Sequence, residues 1–251
     1  MTTGCSLNIA GSDEQFARQA AWTRAVRSQL YRRANLLRAK RVLDVGCGSG
    51  VVTEELAART RGQVIAVDVD AAMIAAARAR GGRAVYQEGD ACRLPFPDGH
   101  FDVVVCHFLL MWVNDPARAV CEMARVARPD GAVLVCGEPD YGGRLDWPDL
   151  PIGQWQAAAL QRQGADPFIG RKLRALLQQA RLGVDVGIIP SLWDTAILRE
   201  NFVAEWALLE QDVAGLVDEV TFQRAKDTAW RAVEEGTRLV FMPVFYGLGR
   251  R

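Results

Sequence analysis

The sequence predicts a single α/β domain in which helices cover both faces of a mostly parallel sheet. Three observations support this class. Short runs rich in β-branched residues alternate with helix-like stretches through the first two thirds of the chain. These runs are apolar at nearly every position, which is typical of strands buried on both faces. Turn-forming segments separate them, such as PFPDG at 95–99 and PDG at 129–131.

The predicted elements follow in order along the chain. A helix over 14–38 comes first, because apolar residues recur there at spacings of three and four. Strands are predicted at 41–45, 63–67, 83–87, 101–106 and 131–137, with helices at about 51–60, 71–80 and 116–127. Beyond them, helices are predicted at 148–163, 170–182, 199–213 and 217–237, and strands at 184–190 and 239–246. Pro243 places the last strand at a sheet edge, because proline cannot donate to a central ladder.

Charge and composition exclude several classes of protein. Thirty basic residues balance thirty acidic ones, so the chain lacks the basic surface expected of a protein that binds nucleic acid or an anionic membrane. The longest nearly apolar run, 101–113, is shorter than the roughly 20 residues of a membrane helix. No secretory signal is recognised, so a cytoplasmic location is expected. The cysteines and histidines lack metal-site spacing, and neither a metal nor a disulfide is expected.

The most informative segment is VLDVGCGSG at 42–50, a buried strand that runs into a G-x-G-x-G turn before a helix. Glycine is needed where the backbone adopts positive φ or where a ligand contacts the main chain. Asp68 follows Gly46 by 22 residues and ends the second predicted strand. A carboxylate at that position can accept both hydroxyls of an unphosphorylated ribose. The segment therefore predicts a site for a nucleoside-containing ligand.

Together with GDA at 89–91, LPFPDGHFDVV at 94–104 and RVARPDG at 125–131, this pattern resembles the class I S-adenosylmethionine-dependent methyltransferases, close to the small-molecule group called type 11. The resemblance covers 41–137. It implies a Rossmann-like, doubly wound, mostly parallel seven-stranded sheet in one domain. The expected parts are a helical lid at 1–40, the core at 41–190, a helical acceptor cap at 191–238 between the last two strands, and a final edge strand at 239–251.

The resemblance also implies S-adenosylmethionine as the cofactor and assigns its contacts. Gly46, Gly48 and the Cys47 backbone would pack against the amino-acid part, and Asp68 would bind the ribose. The other expected cofactor contacts are Asp44 near the loop or the ammonium, Val69 and Met73 around the adenine, Asp90 and Ala91 at its edge, Cys106 at the end of the fourth strand, and Tyr31 on the lid helix. Met73 as plain core and Asp44 as a cap for loop amides remain alternatives.

A nicotinamide dehydrogenase is the rival class. Its fingerprint, G-x-G-x-x-G/A, binds a pyrophosphate at a helix N-terminus. Here the third glycine comes one residue early, and Val51 occupies the position where that pattern requires glycine or alanine. The sequence therefore favours a cofactor without phosphate.

The acceptor side is expected at the carboxyl ends of the fourth and fifth strands. His107 is the candidate base, needed only if the acceptor must lose a proton. Met111 and Trp112 stand where the family often has a histidine pair. The expected acceptor contacts are Trp22, Glu138, Tyr141, Trp193 and Trp206, with helix core as the alternative for the tryptophans.

The sequence thus predicts methyl transfer by in-line displacement to an O, N or C atom of a small molecule. The alternatives are a nucleic-acid or protein acceptor, or a cofactor-binding relative that has lost methyl transfer. No nucleic-acid or membrane partner is expected, and the protein is expected to be a monomer or a homodimer.

Overall fold

The computed structural model describes residues 9–189, 192–193 and 195–251 and confirms the predicted fold class. The helices are α1 (Ile9–Arg33), α2 (Val51–Arg59), α3 (Ala71–Ala79), α4 (Pro116–Val126), α5 (Ile152–Arg162), α6 (Leu173–Gln179), α7 (Thr195–Asp212) and α8 (Glu219–Glu234). The strands are β1 (Arg41–Val45), β2 (Gln63–Asp68), β3 (Val85–Glu88), β4 (Phe101–Cys106), β5 (Ala127–Pro139), β6 (Leu145–Trp147), β7 (Gly183–Ile189), β8 (Leu192–Trp193), β9 (Leu239–Phe241) and β10 (Val244–Arg250).

Seven of these strands form the main sheet, in the order β3-β2-β1-β4-β5-β10-β7. The five strands β1 to β5 run parallel, and β10 pairs antiparallel with both β5 and β7. The strand order reverses between β1 and β4. In open α/β sheets the carboxyl ends on either side of such a reversal flank a ligand-binding crevice.

Alternate residues of the central strands face opposite sides of the sheet, and each side has its own core. Leu43 and Val104 pack on one side with α4 and α6. Val42 and Val105 pack on the other with α1 and α2. This double coverage explains why the strands read as continuous apolar runs.

The expectation that the last strand lies at an edge is wrong. The predicted run 239–246 is divided into β9 and β10, and Pro243 falls between them. The proline therefore lies outside both ladders, and its missing N–H places no constraint on β10. That strand lies between β5 and β7, and β7 forms the edge.

A second sheet, β6-β9-β8, was not predicted. Its strands are only two or three residues long, too short for a periodic signal. The second sheet joins α5, α7 and α8 in a separate apolar cluster that includes Ile152, Phe202, Phe222 and Val240. Among the described residues, no helix combines the length and apolarity needed to cross a membrane.

Candidate functional site

The glycine loop joins β1 to α2 at the carboxyl edge of the sheet. Gly46, Gly48 and Gly50 all have positive φ, at 72°, 51° and 87°. A Cβ added to Gly46 would lie 2.5 Å from Leu109 Cδ1 and 3.3 Å from Leu109 Cβ. The loop therefore requires glycine at Gly46 for both reasons, backbone conformation and close approach.

Asp68 ends β2 next to this loop and remains partly exposed. Its Oδ2 accepts a hydrogen bond from the Gly48 amide at 2.8 Å, and its Oδ1 accepts one from the Asp70 amide at 3.0 Å. The two amides fix the orientation of the carboxylate. Each oxygen keeps further acceptor capacity for a ligand hydroxyl.

Asp44 lies beneath the loop and is fully buried. Its Oδ2 accepts a hydrogen bond from Thr53 Oγ1 at 2.6 Å, a partner on α2 that sequence reasoning missed. Burial raises the pKa of Asp44 to about 6, while the Thr53 hydrogen bond acts in the opposite direction. The geometry favours support of the loop from the core side.

The residues expected around the adenine divide between surface and core. Val69 is 77% exposed, and Asp90 is exposed with its Oδ1 bound to the Cys92 amide at 2.8 Å. Met73 and Ala91 are buried. Val69 and Asp90 thus border an open rim, whereas Met73 and Ala91 lie below it. Cys47 and Cys106 are also buried.

The lid helix α1 covers the loop with a residue that sequence reasoning missed. A Cβ on Gly48 would lie 3.3 Å from the Phe16 ring. Tyr31, which was expected at this position, is instead in the core with Leu56 and Leu134. It lies about 22 Å further along the helix axis than Phe16, at 1.5 Å per residue. Its buried position does not favour the predicted contact with the cofactor. The sequence around Phe16 contains no motif that would predict its contact with Gly48, because that contact depends on the angle at which α1 crosses the sheet.

His107 follows β4 and faces α1. Its Nε2 lies 2.8 Å from Thr23 Oγ1, and the same oxygen accepts a hydrogen bond from Arg27 Nη1. Burial lowers the pKa of His107 to about 3, and the charge of Arg27 acts in the same direction. The ring is therefore neutral at physiological pH.

Glu138 was expected to contact the acceptor, but the structure gives it another role. The side chain is fully buried in β5. Its Oε1 accepts hydrogen bonds from the amides of Leu109 and Leu110 at 3.0 and 2.8 Å, and its Oε2 accepts one from Met111 at 3.3 Å. Glu138 therefore holds the backbone of the segment after β4. Because both of its oxygens are engaged in this way, the side chain is not free to bind a substrate.

The remaining acceptor candidates lie between α1 and the cap. Trp22 and Trp193 meet edge to face, with ring centroids 4.8 Å apart. Trp193 also lines a cavity of about 50 Å³ together with Glu205, Trp206 and Arg144. Its Nε1 is buried and has no hydrogen-bond partner among the described residues.

Trp206 and Tyr141 complete this region in different ways. Trp206 packs in the interior of the cap against Phe202 and Phe222, so it is primarily core. Tyr141 joins Trp22 in an apolar cluster. Burial raises the pKa of Tyr141 to about 12, and the nearby Glu205 carboxylate also raises it. Sequence reasoning missed Glu205, because an acidic residue on a helix usually faces solvent.

The glycine loop after the first strand and the acidic residue at the end of the second form an arrangement typical of nucleoside-binding α/β proteins. Comparison with known proteins shows what this arrangement resembles. Residues 43–135 match a family model described as a methyltransferase domain. The overall fold is similar to that of solved methyltransferase structures.

Three similar proteins illustrate the relationship. A demethylmenaquinone methyltransferase from Mycolicibacterium gilvum is 43% identical over 115 residues, covering 46% of this chain and 47% of the relative. The structure of a putative methyltransferase from Bacillus halodurans C-125 superposes with a TM-score of 0.60 at 21% identity, over 89% of this chain and 97% of that one. The [4+2]-cyclase SpnF superposes with a TM-score of 0.59 at 21% identity, over 90% and 80%. The chain spans about half the length of the curated relatives it matches.

Proposed function

We propose that this protein transfers a methyl group from S-adenosylmethionine to a small-molecule acceptor at an O, N or C atom. The observation that carries the proposal is the hydrogen bond from the Gly48 amide to Asp68 Oδ2, at 2.8 Å, within a methyltransferase domain. A carboxylate fixed in this way can accept both hydroxyls of a ribose that carries no phosphate.

The residues around the loop fit this cofactor. Gly46 and Gly48 have no side chains, so the amino-acid part of S-adenosylmethionine can approach their backbone closely. Asp68 binds the ribose, and the exposed apolar side chain of Val69 suits one face of the adenine, with Asp90 at its edge. When bound, S-adenosylmethionine supplies an electrophilic methyl group on a good leaving group.

The acceptor is proposed to bind between α1 and the cap, near Trp22, Tyr141 and Trp193. The aromatic walls favour an aromatic molecule, and the polar side chains that line the neighbouring cavity, Arg144, Gln156, Glu205 and Arg238, can bind its polar groups. The task of these residues is to orient the acceptor and exclude water. In favourable intramolecular reactions, such positioning accounts for roughly 7–11 kcal/mol of the barrier.

The relatives support the class of acceptor and leave its identity open. The demethylmenaquinone methyltransferases are named for a small-molecule acceptor, but each match covers less than half of this chain. The proposal includes a cytoplasmic monomer or homodimer that acts without nucleic acid.

The test is to incubate the purified protein with S-adenosylmethionine and a panel of phenols, amines and carboxylic acids. The expected result is S-adenosylhomocysteine together with one acceptor that gains the mass of a methylene group. The same incubation with Asp68→Ala serves as the control and is expected to give little product. Tight cofactor binding without transfer to any small molecule, peptide or nucleic acid would contradict methyl transfer and indicate a relative that has lost it.

A further inference from the structure

A chain of polar side chains runs through the interior from α2, across the lid helix α1, to the end of β4. Arg27 is 1% exposed, and both its Nε and its Nη2 donate to Glu55 Oε2. Its Nη1 donates to Thr23 Oγ1, which lies 2.8 Å from His107 Nε2. The chain therefore joins three separate elements at one side of the glycine loop.

Each of the three guanidinium nitrogens of Arg27 donates a hydrogen bond in this arrangement. A buried guanidinium without partners would cost several kcal/mol, so its contacts must be satisfied for α1 to dock. Glu55 provides the opposite charge and also pairs with Arg59 Nη2 at 3.1 Å. The Arg27 and Glu55 pair thus anchors α1 to α2 and fixes the position of Thr23 between them and His107.

The hydroxyl of Thr23 determines which nitrogen of His107 carries hydrogen. A hydroxyl has one hydrogen to donate and two acceptor sites. The Thr23 hydroxyl donates to the Gln19 carbonyl at 3.1 Å, the common back-bond of a helical threonine. One acceptor site takes Arg27 Nη1, and the other takes His107 Nε2. Every site of this buried hydroxyl is used only if Nε2 is the protonated nitrogen, which leaves a lone pair on Nδ1.

Several ionisable groups face this cluster. They are Arg27 from α1, Glu55 and Arg59 from α2, and Glu138 from β5, whose carboxylate is held by the amides after His107. Arg27 acts most directly, because its cation disfavours a second positive charge on the imidazole. Among the described residues, Nδ1 has no hydrogen-bond partner.

We propose that Thr23 and Arg27 are positioning residues, which hold His107 as a neutral imidazole protonated on Nε2, with the Nδ1 lone pair available to a donor group of the methyl acceptor. The lone pair is oriented only while α1 is docked, because both positioning residues belong to that helix. The part that concerns the acceptor rests on the proposed function. The state of the imidazole does not.

Nitrogen-15 NMR of the full-length, uniformly labelled protein tests the proposal. The chain contains two histidines, and His100 serves as the internal reference. In the wild type we expect His107 to be protonated on Nε2 only and to stay neutral at physiological pH. A His107 ring that is protonated on Nδ1, or on both nitrogens at physiological pH, would overturn the proposal.

Variants separate positioning from simple stability. Thr23→Val removes the hydroxyl at nearly constant volume and is expected to give a mixture of His107 tautomers, and Thr23→Ser should restore the single tautomer. Thr228→Val is the matched control, because Thr228 makes the same type of back-bond, to the Arg224 carbonyl, on an exposed helix face. An unchanged His107 tautomer in Thr23→Val would contradict the proposal.

Arg27→Gln tests the charge. The expected result is an increase in the pKa of His107 of about one unit or more. If this variant does not fold, the Thr23→Val and Thr23→Ser pair still decides the matter. Binding of S-adenosylhomocysteine, measured on the same samples, distinguishes the two hypotheses. If the wild type does not bind S-adenosylhomocysteine, the proposed function is contradicted, but the conclusion on the His107 tautomer is unaffected.

Discussion

The indole of Trp22 meets the indole of Trp193 edge to face, with centroids 4.8 Å apart. Trp22 belongs to the first helix and Trp193 to the segment before α7, so two ends of the chain close the same side of the sheet. The space beside Trp193 is lined by apolar side chains and by four polar ones, Arg144, Gln156, Glu205 and Arg238. This contact joins the first helix to the segment before α7, so the proposed acceptor site would draw residues from both.

The tryptophans of the cap should respond differently to truncation. Trp206→Ala is expected to lower the free energy of unfolding by about 3–5 kcal/mol, because the side chain fills the interior of the cap. Trp193→Ala should lower the free energy of unfolding by less than this. It should also leave the affinity for S-adenosylhomocysteine within about twofold of that of the wild type. Urea unfolding and calorimetry provide the two measurements. Val203→Ala, on the same helix but 78% exposed, is the control and should change stability by less than about 0.5 kcal/mol. Equal losses for Trp206→Ala and Val203→Ala would show that the cap is not packed in this way.

The glycine loop offers a matched pair of substitutions. Gly46 and Gly164 both have positive φ, but nothing lies within 4 Å of a Cβ built at Gly164. Both alanine variants should lose about 1–2 kcal/mol from backbone strain. Only Gly46→Ala also displaces Leu109, so only this variant is expected to lose affinity for S-adenosylhomocysteine, by tenfold or more. Similar affinities in the two variants would argue against close approach of a ligand to the loop.

Glu138 predicts a specific dependence of stability on pH. Burial raises its pKa to about 8 from the ordinary value of 4.5, although three amide hydrogen bonds act against the increase. Between these values the folded chain keeps a proton that the unfolded chain releases. The free energy of unfolding therefore falls as pH rises through this range, by at most about 1.4 kcal/mol per pH unit.

Glu138→Gln removes this titration, because glutamine resembles the protonated acid. The stability of the variant relative to the wild type should therefore increase from about pH 5 to about pH 8, measured by urea unfolding at each pH. His107 and Asp44 titrate in both proteins and cancel from the difference. A difference that stays constant over this range would contradict the raised pKa of Glu138.

Much of the fold could be predicted because its signals are local. The strand before Gly46 and the strand that ends at Asp68 are apolar runs bounded by turns, and the structure has them within a residue or two of the predicted positions. The order of the last strands in the sheet could not be predicted from such local signals. Pro243 was read as a restriction on a strand, but it lies in the link between two strands. Which strands pair is decided by contacts distant in sequence.

The site was predictable to the same extent. The loop glycines and Asp68 belong to one recognisable sequence pattern, and they also lie close together in the structure. Phe16 and Glu205 escaped notice, because their roles depend on how α1 and the cap pack against the core. Tyr31 and Glu138 were predicted to contact the cofactor and the acceptor, but both are buried, which their position in the sequence could not show. Local chemistry identified the cofactor side, whereas packing determines the acceptor side.

Calorimetric titration of the purified protein with S-adenosylhomocysteine tests whether the glycine loop and Asp68 bind this cofactor. We expect binding by the wild type without added metal, no binding of a nicotinamide dinucleotide, and at least tenfold weaker binding by Asp68→Ala, since two charge-assisted hydrogen bonds of about 1.5–3 kcal/mol each are lost. Asp227→Ala, on an exposed face of α8, should bind as the wild type does. If the protein does not bind S-adenosylhomocysteine but binds a nicotinamide dinucleotide tightly, S-adenosylmethionine is not its cofactor.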